Sequence, residues 1–283
     1  MGPKSVFVAG AKAGIGFELV RQFAILADGP KHIFAAGRKI DQAKDLVSLS
    51  NVHKNVHLVE LDVTNDQQIA AAVRTVSGVV GEHGLNLLIY NAAILDPEGN
   101  HLPNISRDVI NRHVDVNATS PLMVSQAFLP LLKQAAAKHA SSPMSISKAA
   151  IVNISSDSGG LHTKVEFSAS EFGFYGYVAG KAALNIISKN LSYDLKDDGI
   201  VIICICPGYV DTDMTRHMLQ QCRHNHGQSS VPEFLLEHHM VTPAESVTEI
   251  MAMLTRITDK HTGGYFRRNG DKLEDYDFES AAY

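Results

Sequence analysis

The stretch FGFYGYVAGKAALN, residues 172–185, holds two tyrosines and a lysine close together, a combination able to move a proton. On a helix, positions i and i+4 share a face about 5–6 Å apart at Cβ. Tyr177 and Lys181 are so related, whereas Tyr175 stands six positions before the lysine and faces elsewhere. A phenol of ordinary pKa near 10 is a poor acid–base group at neutral pH. An ammonium about 4 Å away favours the phenolate by roughly 4 kcal/mol at an effective dielectric near 20, about three pKa units. Tyr177 is therefore the candidate acid, its pKa expected near working pH. Eight tyrosines and fifteen lysines in 283 residues give such a spacing by accident in about two chains of five, so the pair needs support from elsewhere.

That support begins at AGAKAGIG, residues 9–16, which places Gly10, Gly14 and Gly16 between a first apolar run and a helical one. Glycines there permit a tight turn and let a pyrophosphate approach the N–H groups at a helix N-terminus. The turn, with Lys12 and Ile15, is a candidate nucleotide site. Its spacing, G-x-x-x-G-x-G, departs from the commoner G-x-G-x-x-G. NAD binders carry an acid about 20 residues beyond the glycines, whereas an Arg there accommodates the 2′-phosphate of NADP. After HIFAA this chain has Gly37 and Arg38, and no acid until Asp41. NADP(H) is therefore expected in preference to NAD(H).

The elements that must position these residues follow an α/β alternation. SVFVA, HIFAA, VHLVEL, LNLLIY, AAIVNIS and IVIICIC are short apolar runs separated by helix-length amphipathic segments. This predicts a single-domain, Rossmann-type doubly wound parallel sheet with helices on both faces. Helices are expected from about Ile15, Asp41 and Asn65, with Asp41 and Thr64 or Asn65 as N-caps, and a last long helix from Pro243. The expected domain is residues 1–270, with an acidic tail over 271–283. Two irregular regions, 157–176 and 217–241, are expected to carry specificity.

At 283 residues, 45% hydrophobic and 19% charged, the composition is globular, and a net charge of −5 gives no surplus for a nucleic-acid partner. No run of about 18 apolar residues marks a membrane span, and Val6 breaks the myristoylation pattern. The expectation is a cytoplasmic protein with no membrane partner. Cys204 and Cys206 alternate within VIICIC, so both point to one face of a buried strand. Cys222 lies near His217, His224 and His226 without the spacing of a zinc site, so no metal is expected.

Together these motifs resemble the short-chain dehydrogenase/reductase family, in its compact-chain subgroup, over nearly the whole length. LDVT puts Asp62 and Val63 where the family contacts adenine. YNAA puts Asn91, Ala92 and Ala93 where its N-A-G motif lines the adenosine ribose. VNATSP supplies Asn117, NISS supplies Ser156, and CPGYVDTDM supplies Pro207, Gly208, Val210 and Thr212. LLKQAAAKHASSPMSISKAAIVNISS, KAALN and GGYFRRNGDKL are similar to the Sniffer and C-factor type of NADPH-dependent carbonyl reductase. Departures are Ala9 in place of a Thr that ties the turn to the next strand, and Tyr90 and Ala93 within the N-N-A-G motif.

The resemblance implies hydride transfer between nicotinamide and the carbonyl of an aldehyde, ketone or quinone, with Tyr177 as proton donor. Lys181 would lower the phenol pKa and bind nicotinamide ribose hydroxyls, and Ser156 would hold the carbonyl oxygen. Asn117 would bend its helix and hold a water that connects Lys181 to solvent. Ser155 is the competing serine; alternation sends the two to opposite faces, and the family pattern selects Ser156. Relatives pair through the long helices beginning near Asn117 and Tyr175, which implies a homodimer or homotetramer. The competing reading is a catalytically silent NADP(H)-binding sensor or scaffold, which would lack a complete Asn, Ser, Tyr and Lys set.

Overall fold

The computed structural model describes residues 2–96, 98–100, 102–161, 174–226 and 240–273, with the side chains of 221–226 left out. Most of the 157–176 and 217–241 regions, the surroundings of Cys222 and the tail beyond 273 therefore lie outside the described residues.

Seven parallel strands form one sheet in the order β3-β2-β1-β4-β5-β6-β7. They are β1 (Ser5–Ala9), β2 (His32–Gly37), β3 (Val56–Glu60), β4 (Leu87–Tyr90), β5 (Ala150–Ile154), β6 (Val201–Cys206) and β7 (Gly264–Arg267). Strands β1, β4, β5 and β6 are buried along their whole length, as near-continuous apolar runs require in a sheet covered on both faces. The expected fold is the observed one. Strand β7 was not foreseen, and residues 271–273 fold back on it through hydrogen bonds Arg267 N–H to Asp271 O and Leu273 N–H to Tyr265 O.

Register sorts the core. Val6 and Val8 face Leu19 and Phe23 of α1 (Gly14–Ile25) and Ile250 of the helix Pro243–Leu254. Phe7 and Ala9 face Val76 of α3 (Asp66–Val80) and Phe128 and Leu132 of α5 (Ser120–Lys138). Cys204 and Cys206 share one face, packed on Leu184 of α6 (Tyr175–Asp194), as alternation predicts.

Asn65 caps α3, its side chain accepting from Gln68 N–H, which contributes about 1 kcal/mol. Thr242 and Glu245 form a capping box ahead of Pro243. Helix α2 (Lys44–Val52) corrects one expectation. Asp41 is not its cap, because Ile40–Gln42 forms a separate 3-10 turn. Glu60 holds that turn by accepting from Lys39 and Ile40 N–H at 2.9 and 3.1 Å. Helix α4 (Arg107–Val114) runs into a π turn, Asp115–Thr119, before α5.

His32 Nδ1 and His57 Nε2 lie 3.3 Å apart at the outer end of β2 and β3. Burial, then neighbouring positive charge, holds both below the ordinary histidine range. The unfolded chain then takes up protons first as pH falls below about 6.5, so stability is full above that value and declines below it. The midpoint of thermal unfolding is expected to drop between about pH 7.5 and pH 5.5, and less steeply in a His32→Gln/His57→Gln variant. Equal slopes for the two proteins would contradict this.

Candidate active site

Strand β1 passes to β2 on one side and lies beside β4 on the other, and a cleft at the C-terminal ends of parallel strands is expected where the order switches. A cavity of about 1140 Å3 opens there. Gly10, Lys12, Gly14, Ile15 and Arg38 line one end of it, with Asp62, Val63, Asn91, Ala92 and Ala93 following. Tyr177, Lys181, Pro207 and Thr212 line the other.

The glycine turn is built for close approach. Gly10 has φ +84° and Gly14 φ +56°. A Cβ on Gly16 would stand 2.0 Å from the Gly10 carbonyl oxygen, so Gly16 shapes the turn from beneath without lining the cavity. No side chain caps α1 at Ala13, which leaves its first-turn N–H groups available for an anion. The turn is tied to the end of β4 through main-chain oxygens. Ala9 O accepts from Asn91 and Ala92 N–H, and Asn91 Nδ2 donates to Gly10 O at 2.9 Å.

Exposed Arg38 and Lys12 give this end positive charge, and Lys39, which the sequence reading passed over, lines the same cavity. Both oxygens of Glu60 are committed to the main chain of the 3-10 turn. Burial opposes ionisation of Asp62, but hydrogen bonds from Thr64 and the Arg38 charge outweigh it and hold the carboxyl below its usual range. These residues fit a phosphorylated dinucleotide.

At the other end, Lys181 is buried and its Nζ donates to Ile154 O at 2.8 Å. Nζ lies 5.8 Å from the centre of the Tyr177 ring. Burial pushes Lys181 down to about 8. Burial likewise pushes the Tyr177 phenol above the ordinary range, against the pull of a hydrogen bond with Ser156. This corrects the expectation of a phenol near working pH: desolvation outweighs what the lysine contributes. The phenol is consequently protonated at neutral pH, the state a proton donor needs.

Ser156 follows β5 and its Oγ lies 3.2 Å from Ser158 Oγ and N. The turn behind it packs tightly on α6, where a Cβ on Gly159 would stand 2.7 Å from the Lys181 carbonyl carbon. Ser155 does not turn to the opposite face. Its hydroxyl donates to Asn185 Oδ1 on the same helix at 2.6 Å while its N–H still pairs with Ile205 O on β6 at 2.8 Å, and Ser155 lines the cavity.

Residues 4–223 match the family described as short chain dehydrogenase. The chain belongs to that family. This short-chain dehydrogenase is 30% identical over 272 residues to an uncharacterised oxidoreductase of Schizosaccharomyces pombe, covering 95% of this chain and 97% of the relative. Its structure superposes on the carbonyl reductase Sniffer of D. melanogaster with TM-score 0.83 and 30% identity, over 96% of this chain and 100% of that one. An NADPH-bound carbonyl reductase from chicken fatty liver gives TM-score 0.84 and 32% identity, over 96% and 94% of the two chains. The protein is thus an oxidoreductase of this family with carbonyl reductases among its structural neighbours.

Four residues singled out from the dehydrogenase's sequence lie outside the cavity lining besides Gly16: Asn117, Ser156, Gly208 and Val210. Asn117 is buried in the π turn. Its Oδ1 accepts from Ile94 N–H at 2.9 Å and its Nδ2 donates to Ile94 O at 3.0 Å. That side chain is therefore engaged with the exit of β4. Gly208 has φ +80° and packs under Arg268, while Val210 is buried beside the Val241 bridge. Cys206 joins two loops of the site, its Sγ accepting from Asp157 N–H at 3.2 Å and from Gly208 N–H. Among the described residues no group of three metal-binding side chains occurs and no helix is long and apolar enough to cross a membrane.

Proposed function

We propose that this dehydrogenase is an NADPH-dependent reductase of aldehydes, ketones or quinones. The observation that carries the reading is one cavity with Lys12 and Arg38 at its nucleotide end and Tyr177 and Lys181 at its reacting end. When bound, NADPH supplies the hydride that adds to the carbonyl carbon. Gly10, Gly14 and the N-terminus of α1 hold the pyrophosphate, and Asp62, Val63, Asn91, Ala92 and Ala93 flank the adenosine. Pro207, Gly208, Val210 and Thr212 form the loop against the nicotinamide end. Ser156 holds the carbonyl oxygen, and Tyr177 gives it the phenolic proton as charge develops there. The Lys181 ammonium stabilises the phenolate left behind and holds nicotinamide ribose hydroxyls. Asn117 acts by fixing the bend beside them.

Exposed Ile186 and Tyr193 on the outer side of α6 support association of copies of the chain into a homodimer or homotetramer. The function is tested by following NADPH consumption with a panel of aldehydes, ketones and quinones. Turnover with at least one class is expected; cofactor binding with no turnover on any of them would favour a silent binding protein. For cofactor choice, Arg38→Ala is expected to weaken NADPH about tenfold, the equivalent of roughly 1.4 kcal/mol, and NADH less than about twofold. Equal losses for the two cofactors would remove the phosphate role.

A further inference from the structure

The first N–H groups of a helix have no partner within it, and burying them without one is costly. Helix α6 carries Tyr177 in its first turn, and its preceding residue, Phe174, provides no side-chain cap. The partners come instead from a single distant residue. Asn100, fully buried, accepts Tyr175 N–H on its main-chain oxygen at 3.1 Å. Its Oδ1 accepts Gly176 N–H at 2.6 Å, across 76 residues of sequence.

Asn100 is itself held. Its Nδ2 donates to Asp96 O at 3.0 Å and lies 3.4 Å from His113 Nε2. His113, also fully buried, accepts Asp96 N–H on Nε2 at 3.0 Å, which requires that nitrogen to be unprotonated. The proton then sits on Nδ1, which donates to Val109 O at 2.8 Å. The Asp96 carboxylate pairs with Arg112 of the same helix. The helix end fits into this group without a side chain of its own: a Cβ on Gly176 would stand 3.0 Å from His113 Cβ and 3.1 Å from Asn100 Oδ1.

Asn100 lines no part of the cavity. We infer that it is a positioning residue, which, held by His113 and Asp96, caps α6 from outside and sets the place of the Tyr177 hydroxyl. The kinetic part of this role rests on the reductase reading above; the capping itself does not. A displacement of about 1 Å in a reacting group costs on the order of 100-fold in rate, so a clamp one residue from the proton donor acts on turnover more than on binding.

Hydrogen exchange at residue resolution and kinetics on the full chain test this together. In the wild type the amides of Tyr175 and Gly176 are expected to be protected. In Asn100→Ala they exchange at least about tenfold faster, and kcat per NADPH-binding site falls about 10- to 100-fold with NADPH affinity within about threefold. Asn100→Asp, which keeps an acceptor facing Gly176 N–H, should stand between the two in both readouts. Unprotected amides in the wild type would overturn the clamp whether or not Asn100→Ala folds. An unchanged kcat per binding site in either folded variant whose amides are released would overturn the positioning role. A wild type inactive on every carbonyl would defeat the reductase reading instead, and the exchange rates would still decide the capping.

Discussion

Replacing Tyr177 by Phe is expected to lower kcat for carbonyl reduction by about 100- to 10,000-fold, the range general acids contribute, while NADPH affinity changes less than about threefold. The substitution removes one hydroxyl from the wall of the cavity and leaves the ring that packs there. The phenol is placed by α6, whose Gly180 allows close contact with the π turn: a Cβ there would stand 2.9 Å from Asn117 Cβ. Burial keeps the phenol protonated, and Ser156 and Lys181 flank it. Steady-state kinetics with a fluorescence titration of NADPH separate the two quantities. Full turnover by the Phe variant would remove Tyr177 from the mechanism, and an equal fall in affinity would make its role one of binding.

Gly16→Ala is expected to weaken NADPH at least about tenfold, with a lower unfolding midpoint. The new Cβ would meet the Gly10 carbonyl oxygen at 2.0 Å and Asn91 Nδ2 at 2.7 Å. The first contact is with main chain, so the turn itself must move. Overpacking of this sort costs about 1–3 kcal/mol, and here the displaced atoms are those proposed to cradle the pyrophosphate. Gly78, in the last turn of α3, is the control, since nothing lies within 4 Å of a Cβ placed there. Gly78→Ala should leave affinity unchanged and stabilise the protein by roughly 0.5–1 kcal/mol. Similar affinity for Gly16→Ala and the wild type would show that the turn tolerates a methyl group.

Much of the architecture was legible because buried parallel strands are written as unbroken apolar runs and their helices as amphipathic ones. Strand β7 escaped because four residues, GYFR, between glycines carry too little pattern. The start of α2 moved from Asp41 to Lys44 because Glu60, on another strand, fixes a 3-10 turn there, a long-range cause no local window contains. The site was legible where family motifs and local spacing coincide, as at Gly10, Tyr177 and Lys181. It was not where the partner is distant: the Asn117 amide on Ile94, the Ser155 hydroxyl on Asn185, and Asn100 on the first turn of α6. The phenol pKa was misjudged because i,i+4 spacing gives proximity to a charge but not the desolvation that accompanies it. Lys39 had a local signal, as the second base in GRK directly after β2, and could have been named with Arg38.

The central claim is that a hydride passes from nicotinamide to a carbonyl carbon while Tyr177 supplies the proton to its oxygen. The most direct measurement uses NADPH carrying deuterium at the transferable position of its nicotinamide, with a carbonyl substrate in ordinary water, and mass spectrometry of the product. The alcohol is expected to carry one deuterium on its former carbonyl carbon, and to be formed at least about 100-fold more slowly by Tyr177→Phe than by the wild type. An alcohol free of deuterium, or its formation at wild-type rate by the Phe variant, would contradict the account.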